Sequence, residues 1–125
     1  MLNFSISFKP GIPIYEQIVY AVKKAVVSGQ LKAGDPFPSV REISKELKIN
    51  PNTAQKVVSH LVQARLLDIR PGIGSVVSEK TESSAKEKEQ ILRADIEHLV
   101  VEAKRLSIKK KELMDAITRH WELDF

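Results

Sequence analysis

The chain has 125 residues, 42% hydrophobic and 29% charged, with 20 Lys and Arg against 16 Asp and Glu for a net charge of +4. That length suits one domain with an appendage. The lack of cysteine excludes disulfides and thiolate metal sites, which fits a reducing cytoplasm. No apolar run approaches the roughly 20 residues of a membrane span, and the start MLNFSISFKPG lacks the charged-then-apolar order of a signal peptide. A soluble cytoplasmic protein is therefore expected. The charge is uneven: residues 1–78 carry ten basic and five acidic side chains, residues 79–125 ten and eleven. The excess suits an anionic partner, since phosphate neutralisation supplies much of DNA affinity; a solvated surface would account for the count equally well.

Leu2, Phe4, Ile6 and Phe8 alternate with Asn3, Ser5 and Ser7, a period of two that predicts a strand with one buried face. Lys9-Pro10-Gly11 ends it. Its partner is either a downstream sheet or an equivalent strand of another subunit. A helix from Pro13 to Ser28 follows, with Ile14, Ile18, Ala21, Val22 and Ala25 inward and Gly29 closing it. Tyr15 reads as a packing residue. The loop Gln30 to Pro38, with Gly34-Asp35-Pro36 and Pro38, is a rigid connection, and Leu31 and Phe37 are expected to plug the junction between the first two helices.

Ser39-Val40-Arg41-Glu42 is an S-x-x-E capping box. Ser39 accepts from the backbone of Glu42 while Glu42 reaches back to that of Ser39, so a helix begins at about Val40. Val40, Ile43 and Leu47 give it one narrow apolar stripe. It stops at Lys48-Ile49-Asn50. Asn50 is a good N-cap and Pro51 suits the first position of a second helix, so the spacing is that of a helix-turn-helix. In the second helix Ala54, Val57, Val58 and Leu61 share one side and Asn52, Gln55, Lys56, Ser59 and Gln63 the other. The outward face carries amides, hydroxyls and a cation but no carboxylate. Asn and Gln pair bidentately with adenine in the major groove, and Lys meets phosphate or guanine. Beyond it, Leu67-Asp68-Ile69-Arg70 and Ser75-Val76-Val77-Ser78 read as two short strands around Pro71-Gly72-Ile73-Gly74, a wing with Arg70 at its base.

Pro13-Ile14-Tyr15-Glu16-Gln17-Ile18, Pro38-Ser39-Val40-Arg41-Glu42, Asn50-Pro51-Asn52-Thr53 and the Gly72-x-Gly74 wing together resemble the GntR family of bacterial transcription regulators, in particular its small YtrA-like subfamily. The likeness covers roughly residues 12 to 78. It implies a winged helix-turn-helix repressor that binds a palindromic operator as a homodimer, often controlling its own operon with an ABC transporter. It further implies that Arg41, Asn50, Asn52, Thr53, Gln55 and Lys56 contact DNA, with Gly72 at the wing tip; Ser39, Arg70 and Gly74 complete the candidate set. Pro51 and Gln55 stand where many larger relatives have arginines, so the operator sequence does not follow from theirs.

After a polar linker, Ser78 to Ser83, a second box at Ser84-Ala85-Lys86-Glu87 predicts a helix from about Ala85. Leu92, Ile96, Leu99, Ala103 and Leu106 recur at the spacing of a coiled-coil seam, widened by Ile91 and Val100. Ser107 is read as the cap of a further helix from Ile108 to about Glu122, with Leu113, Met114, Ile117 and Trp121 as its apolar stripe. Two such helices cannot bury both stripes against each other, so a second copy is the expected cover, with packing back on the winged helix as the alternative. Lys109-Lys110-Lys111 reads as a solvated first turn.

His60, His98 and His120 lie on three helices and only Asp95 and His98 share a ligand-like spacing, so no metal site is expected. No phosphate loop, nucleophile elbow or H-E-x-x-H pattern occurs, and no catalytic residue or cofactor is expected. Residues 79–125 are too short for a large metabolite-binding domain. An effector, if one acts, is expected at the dimer interface or between the arm and the winged helix. The expected architecture is mainly α with a small β wing: a winged helix-turn-helix in 1–78 and a C-terminal two-helix dimerisation arm in 79–125. The expected partners are double-stranded DNA and a second copy of the chain. The alternative is a winged-helix protein-interaction module whose DNA binding is incidental.

Overall fold

Helix α1 (Ile14–Ser28) opens at Pro13 and ends at Gly29, whose φ of 83° is the left-handed value that glycine adopts without steric cost. This is a computed structural model, describing residues 2–79 and 85–123. They divide into two compact units, one before Lys80 and one after Thr81.

In the first unit α1 packs on α3 (Pro51–Gln63), and α3 on α2 (Val40–Leu47) and on strand β1 (Leu67–Arg70). Strand β2 (Gly74–Val77) runs antiparallel to β1 with Leu67 opposite Val77 and Arg70 opposite Gly74. The core lies where the helical stripes converge: Ile18, Val22, Ile43, Val57, Leu61, Leu67 and Val77 are all fully enclosed. Leu31 and Phe37 join it from the loop, as expected. The inward face of α1 is rotated slightly from the sequence reading, because Val19 is buried and Ile14 is exposed.

The expected strand at residues 2–8 does not form. Its alternation survives only as burial: Phe4 is enclosed and stacks on Phe37 with ring centroids 5.7 Å apart, and Leu2 and Ile6 lean on the core. Phe8 is exposed. A ladder also needs a sheet edge, and residues 35–37 already occupy that of β2. Pro36 bridges Val76, the Phe37 N–H donates to the Ser75 carbonyl at 2.9 Å and the Val77 N–H to that of Asp35 at 2.8 Å. The N-terminal segment is held by side chains instead. Asn3 Nδ2 donates to the Pro36 carbonyl, and the Gln17 amide bonds the N–H and carbonyl of Lys9 and the carbonyl of Ile12.

The second unit comprises α4 (Ala85–Glu89), π-helical turns over Gln90–Asp95, α5 (Ile96–Arg105) and α6 (Lys110–Glu122). Ser84 of the second capping box, and most of the linker, lie outside the described residues. The seam through Leu92, Ile96, Leu99, Ala103 and Leu106 assumed one uninterrupted repeat. The π turns interrupt that phase between Leu92 and Ile96, because i→i+5 bonding widens the turn there, while Ile96, Leu99, Ala103 and Leu106 keep their α-helical spacing.

Ser107 is not a cap for the last helix. With φ of 59° it ends α5 in a Schellman motif, the Ile108 N–H donating to the Ala103 carbonyl at 2.8 Å and the Ser107 N–H to that of Lys104 at 3.1 Å. Helix α6 therefore starts two residues later than expected, at Lys110. Glu112 accepts from the Lys109 N–H at 3.3 Å; the reciprocal bond of a capping box cannot form, since an ammonium has no acceptor.

Candidate nucleic-acid interface

Local chemistry fixes both helices of the helix-turn-helix. The Glu42 N–H donates to Ser39 Oγ at 3.1 Å and the Ser39 N–H to Glu42 Oε1 at 3.2 Å, the reciprocal box that the sequence predicts. Helix α2 ends at Lys48, which takes φ of 54°, and the Ile49 N–H closes on the Ser44 carbonyl. Asn50 then caps α3, its Oδ1 accepting from the Asn52 N–H at 2.7 Å, with Pro51 at the first helical position.

Ala54, Val57, Val58 and Leu61 of α3 are buried, and Asn52, Gln55, Lys56, Ser59 and Gln63 are exposed, as their spacing predicts. Three of the outward side chains have partners. Gln55 Nε2 donates to Ser59 Oγ at 3.1 Å, aligning an amide and a hydroxyl along the helix. Lys56 Nζ lies 4.0 Å from the centre of the Tyr15 ring, and that ring meets His60 edge-on at 6.2 Å. Thr53 is half-buried. Ser39 and Asn50 are committed as caps through their oxygens, which leaves the Ser39 hydroxyl proton and the Asn50 NH2 for a partner. Arg41 is exposed in the first turn of α2 and its side chain meets no partner among the described residues. The helix dipole disfavours a cation there, so local stability does not account for it.

The wing shares this platform. Residues 35–37, bonded to β2, lead through Pro38 directly into the Ser39 cap, and the Ser78 N–H returns to the Leu66 carbonyl at 2.9 Å. At the tip the Ile73 N–H donates to the Arg70 carbonyl at 3.0 Å around Pro71 and Gly72. Proline at the second place and a glycine with φ of 77° at the third are what a type II turn demands. Gly74, at φ 108°, starts β2 one residue earlier than expected. Arg70 is exposed beside Ile69 and Ile73, and Ile73 is 71% exposed. An apolar wing tip is a feature that sequence alternation does not flag. It also missed Tyr15 as a partner of Lys56, since a contact between helices leaves no periodic signal.

The model of the bacterial regulatory proteins of the gntR family matches residues 14–77, a span that runs from α1 to the end of the wing. The chain belongs to the GntR family. As a GntR protein it is a DNA-binding transcription regulator of the YtrA-like kind. It is 34% identical over 110 residues to the HTH-type transcriptional regulator YhcF of Bacillus subtilis, covering 88% of this chain and 91% of that one. It is 30% identical over 106 residues to the HTH-type transcriptional repressor YtrA of the same organism, covering 84% and 82%. A crystal structure from Listeria monocytogenes EGD-e, described as a transcriptional antiterminator, superposes with a TM-score of 0.84 at 28% identity, over 95% of this chain and 90% of that one. This GntR chain thus shares the mainly α, winged helix-turn-helix architecture along nearly its whole length, C-terminal helices included.

The C-terminal candidates are mostly on the surface. Trp121 is 85% and Leu92 73% exposed, and Ile96, Leu99, Leu106 and Ile117 are exposed as well. Leu113 is half-buried and Ala103 is buried. Among the described residues no group of three or more His, Cys, Asp and Glu could hold a metal, and no helix is long and apolar enough to cross a membrane.

Proposed function

We propose that this GntR protein is a homodimeric repressor that reads a palindromic operator and blocks a promoter sterically, without catalysis or a cofactor, in the cytoplasm. The observation that carries the reading is the outward face of α3, where Asn52, Gln55, Lys56, Ser59 and Gln63 are exposed with no carboxylate among them. That face is a donor-rich surface of helical width, which suits the major groove. Arg41 adds a cation beside it, and the wing with Arg70, Gly72 and Gly74 suits the neighbouring backbone or minor groove. The exposed apolar residues of α5 and α6, Leu99, Ile117 and Trp121 among them, supply the self-association that a two-fold operator requires. The name of the YtrA relative, a repressor, supports the sign of regulation. A small-molecule effector would act by changing the separation of the two recognition helices.

Selection of bound sites from a random duplex library at near-physiological salt tests this. The expected product is an inverted repeat with half-sites about one helical turn apart. On that duplex Arg41→Ala and Gln55→Ala each weaken binding by about 1 to 3 kcal/mol, the cost of a lost base contact. Unchanged binding in both variants removes this reading face. Enrichment that is weak, sequence-independent and steeply salt-sensitive would favour a protein-interaction role for the winged helix.

A further inference from the structure

Lys56 and His60 stand one turn apart on α3, so their side chains lie on the same flank of the helix. Tyr15, in the first turn of α1, fills the space between them. The Lys56 ammonium sits 4.0 Å from the ring centre, and the Tyr15 and His60 ring centroids lie 6.2 Å apart at an interplanar angle of 65°. The ring itself is half-buried against the core, so α1 fixes its position before any ligand arrives. An unrestrained lysine samples many rotamers and loses that freedom when it is immobilised. Here the quadrupole of the ring draws the charge toward α1. It is thereby drawn off the line of Asn52, Gln55 and Ser59, where Gln55 is tied to Ser59 instead.

We propose that Tyr15 is a positioning residue that holds the Lys56 ammonium on the α1 side of the recognition helix, directing it to a backbone phosphate rather than to a base edge. The proposal rests on the DNA-binding reading above and refines it, dividing the recognition face into a flank that anchors and a row that reads. Lys56 then contributes equally on every sequence, and Tyr15 acts on DNA only through Lys56.

The test is a double-variant cycle in the full-length protein, read both with and without DNA. In the free protein, NMR of the Lys56 side chain shows its terminal methylene protons shifted upfield by the ring current, a shift kept in Tyr15→Phe and lost in Tyr15→Leu. On the selected operator Tyr15→Leu weakens binding about two- to fivefold, the range of an exposed cation–π contact. Tyr15→Phe binds as the wild type does. Lys56→Ala weakens the operator and a scrambled duplex by the same factor and lowers the salt slope by about one. Adding Tyr15→Leu to Lys56→Ala causes no further loss. Additive losses in the double variant, an unshifted Lys56 signal in the wild type, or a Lys56→Ala loss confined to the operator would each overturn the proposal. A wild-type protein that shows the ring-current shift but binds no selected duplex would instead bring down the regulator reading and reduce the pair to a structural contact.

Discussion

The two units of this chain bury their apolar side chains very differently. In residues 2–79, three helices, a two-stranded wing and the connecting loops enclose a continuous core, and the side chains that the helical periodicity points inward are mostly buried. In residues 85–123 a comparable density of Leu, Ile, Val and Trp leaves only Ala103 buried among the described residues. The first unit is a solved packing problem. The second carries stripes of the kind that in soluble proteins mark an association surface, which is the basis for the proposed division into a reading unit and a pairing unit. The largest effect should come from breaking that division. Leu99→Gln combined with Ile117→Gln removes two exposed apolar contacts with uncharged helix formers, so no new repulsion with phosphate arises. Sedimentation should show a monomer, and operator affinity should fall by about 10²- to 10⁴-fold, the loss expected when two linked half-site contacts become independent. A variant that stays monomeric yet binds the full operator as tightly as the wild type would remove the pairing role.

The second effect sharpens the contrast through stability. Leu61, fully enclosed on α3, should cost about 2 to 5 kcal/mol when truncated to alanine, the transfer term plus the cavity left behind. Leu92→Ala, at a highly exposed position, should change the stability of an isolated monomer by no more than about 0.5 kcal/mol. Urea unfolding checks both, provided protein concentration is varied. The Leu61→Ala loss should be independent of concentration, whereas any loss in Leu92→Ala should grow with it, because only dimer contacts depend on mass action.

How much of this was legible in the residues follows the same boundary. The helix-turn-helix was readable nearly to the residue, because Ser39, Glu42, Asn50 and Pro51 carry local chemistry that acts within three or four positions, and the structure forms the bonds they predict. The outward row of α3 was readable for the same reason, since its exposure follows from helical spacing. Phe4 showed the limit of periodicity: it reports which side chains face apolar surface, not whether a sheet edge is free, and residues 35–37 hold that edge. Ser107 was misread because serine suits an N-cap in isolation, while the preceding helix uses its backbone in a left-handed C-terminus. The Tyr15–Lys56 pair joins two helices about forty residues apart in sequence, and no local pattern encodes it.

The third effect concerns the caps that hold the reading face in place. Ser39→Ala and Asn50→Ala each remove an acceptor for an otherwise unpaired helical N–H, at about 1 kcal/mol of stability. Both residues are also in the candidate DNA set, and the two roles separate by chemistry. Asn50→Asp keeps the accepting oxygen but replaces the NH2 with a second acceptor. Thermal unfolding should therefore be nearly unchanged in Asn50→Asp while operator binding weakens, and Asn50→Ala should lose both. If Asn50→Asp binds as tightly as the wild type, Asn50 serves α3 as a cap alone.

The smallest effect asks why three helices end on residues other than glycine. Lys48, Arg65 and Ser107 take φ of 54°, 62° and 59° at the C-termini of α2, α3 and α5. A side chain there costs about 1 to 2 kcal/mol relative to right-handed backbone. Glycine removes that cost but loses about 0.5 to 1 kcal/mol through its freer unfolded chain. The net expectation for Ser107→Gly is a gain of about 0.5 kcal/mol, since a neutral serine contributes nothing to the helix dipole. Lys48→Gly and Arg65→Gly also remove a cation from a helix C-terminus, where it stabilises by about 0.3 to 1 kcal/mol. Their gain should therefore be close to zero. Chemical denaturation of the three variants at low and high salt checks the reasoning: added salt screens the dipole term, leaving Ser107→Gly unmoved while Lys48→Gly and Arg65→Gly rise toward it. If the three variants respond alike to salt, the dipole does not account for the cations at Lys48 and Arg65.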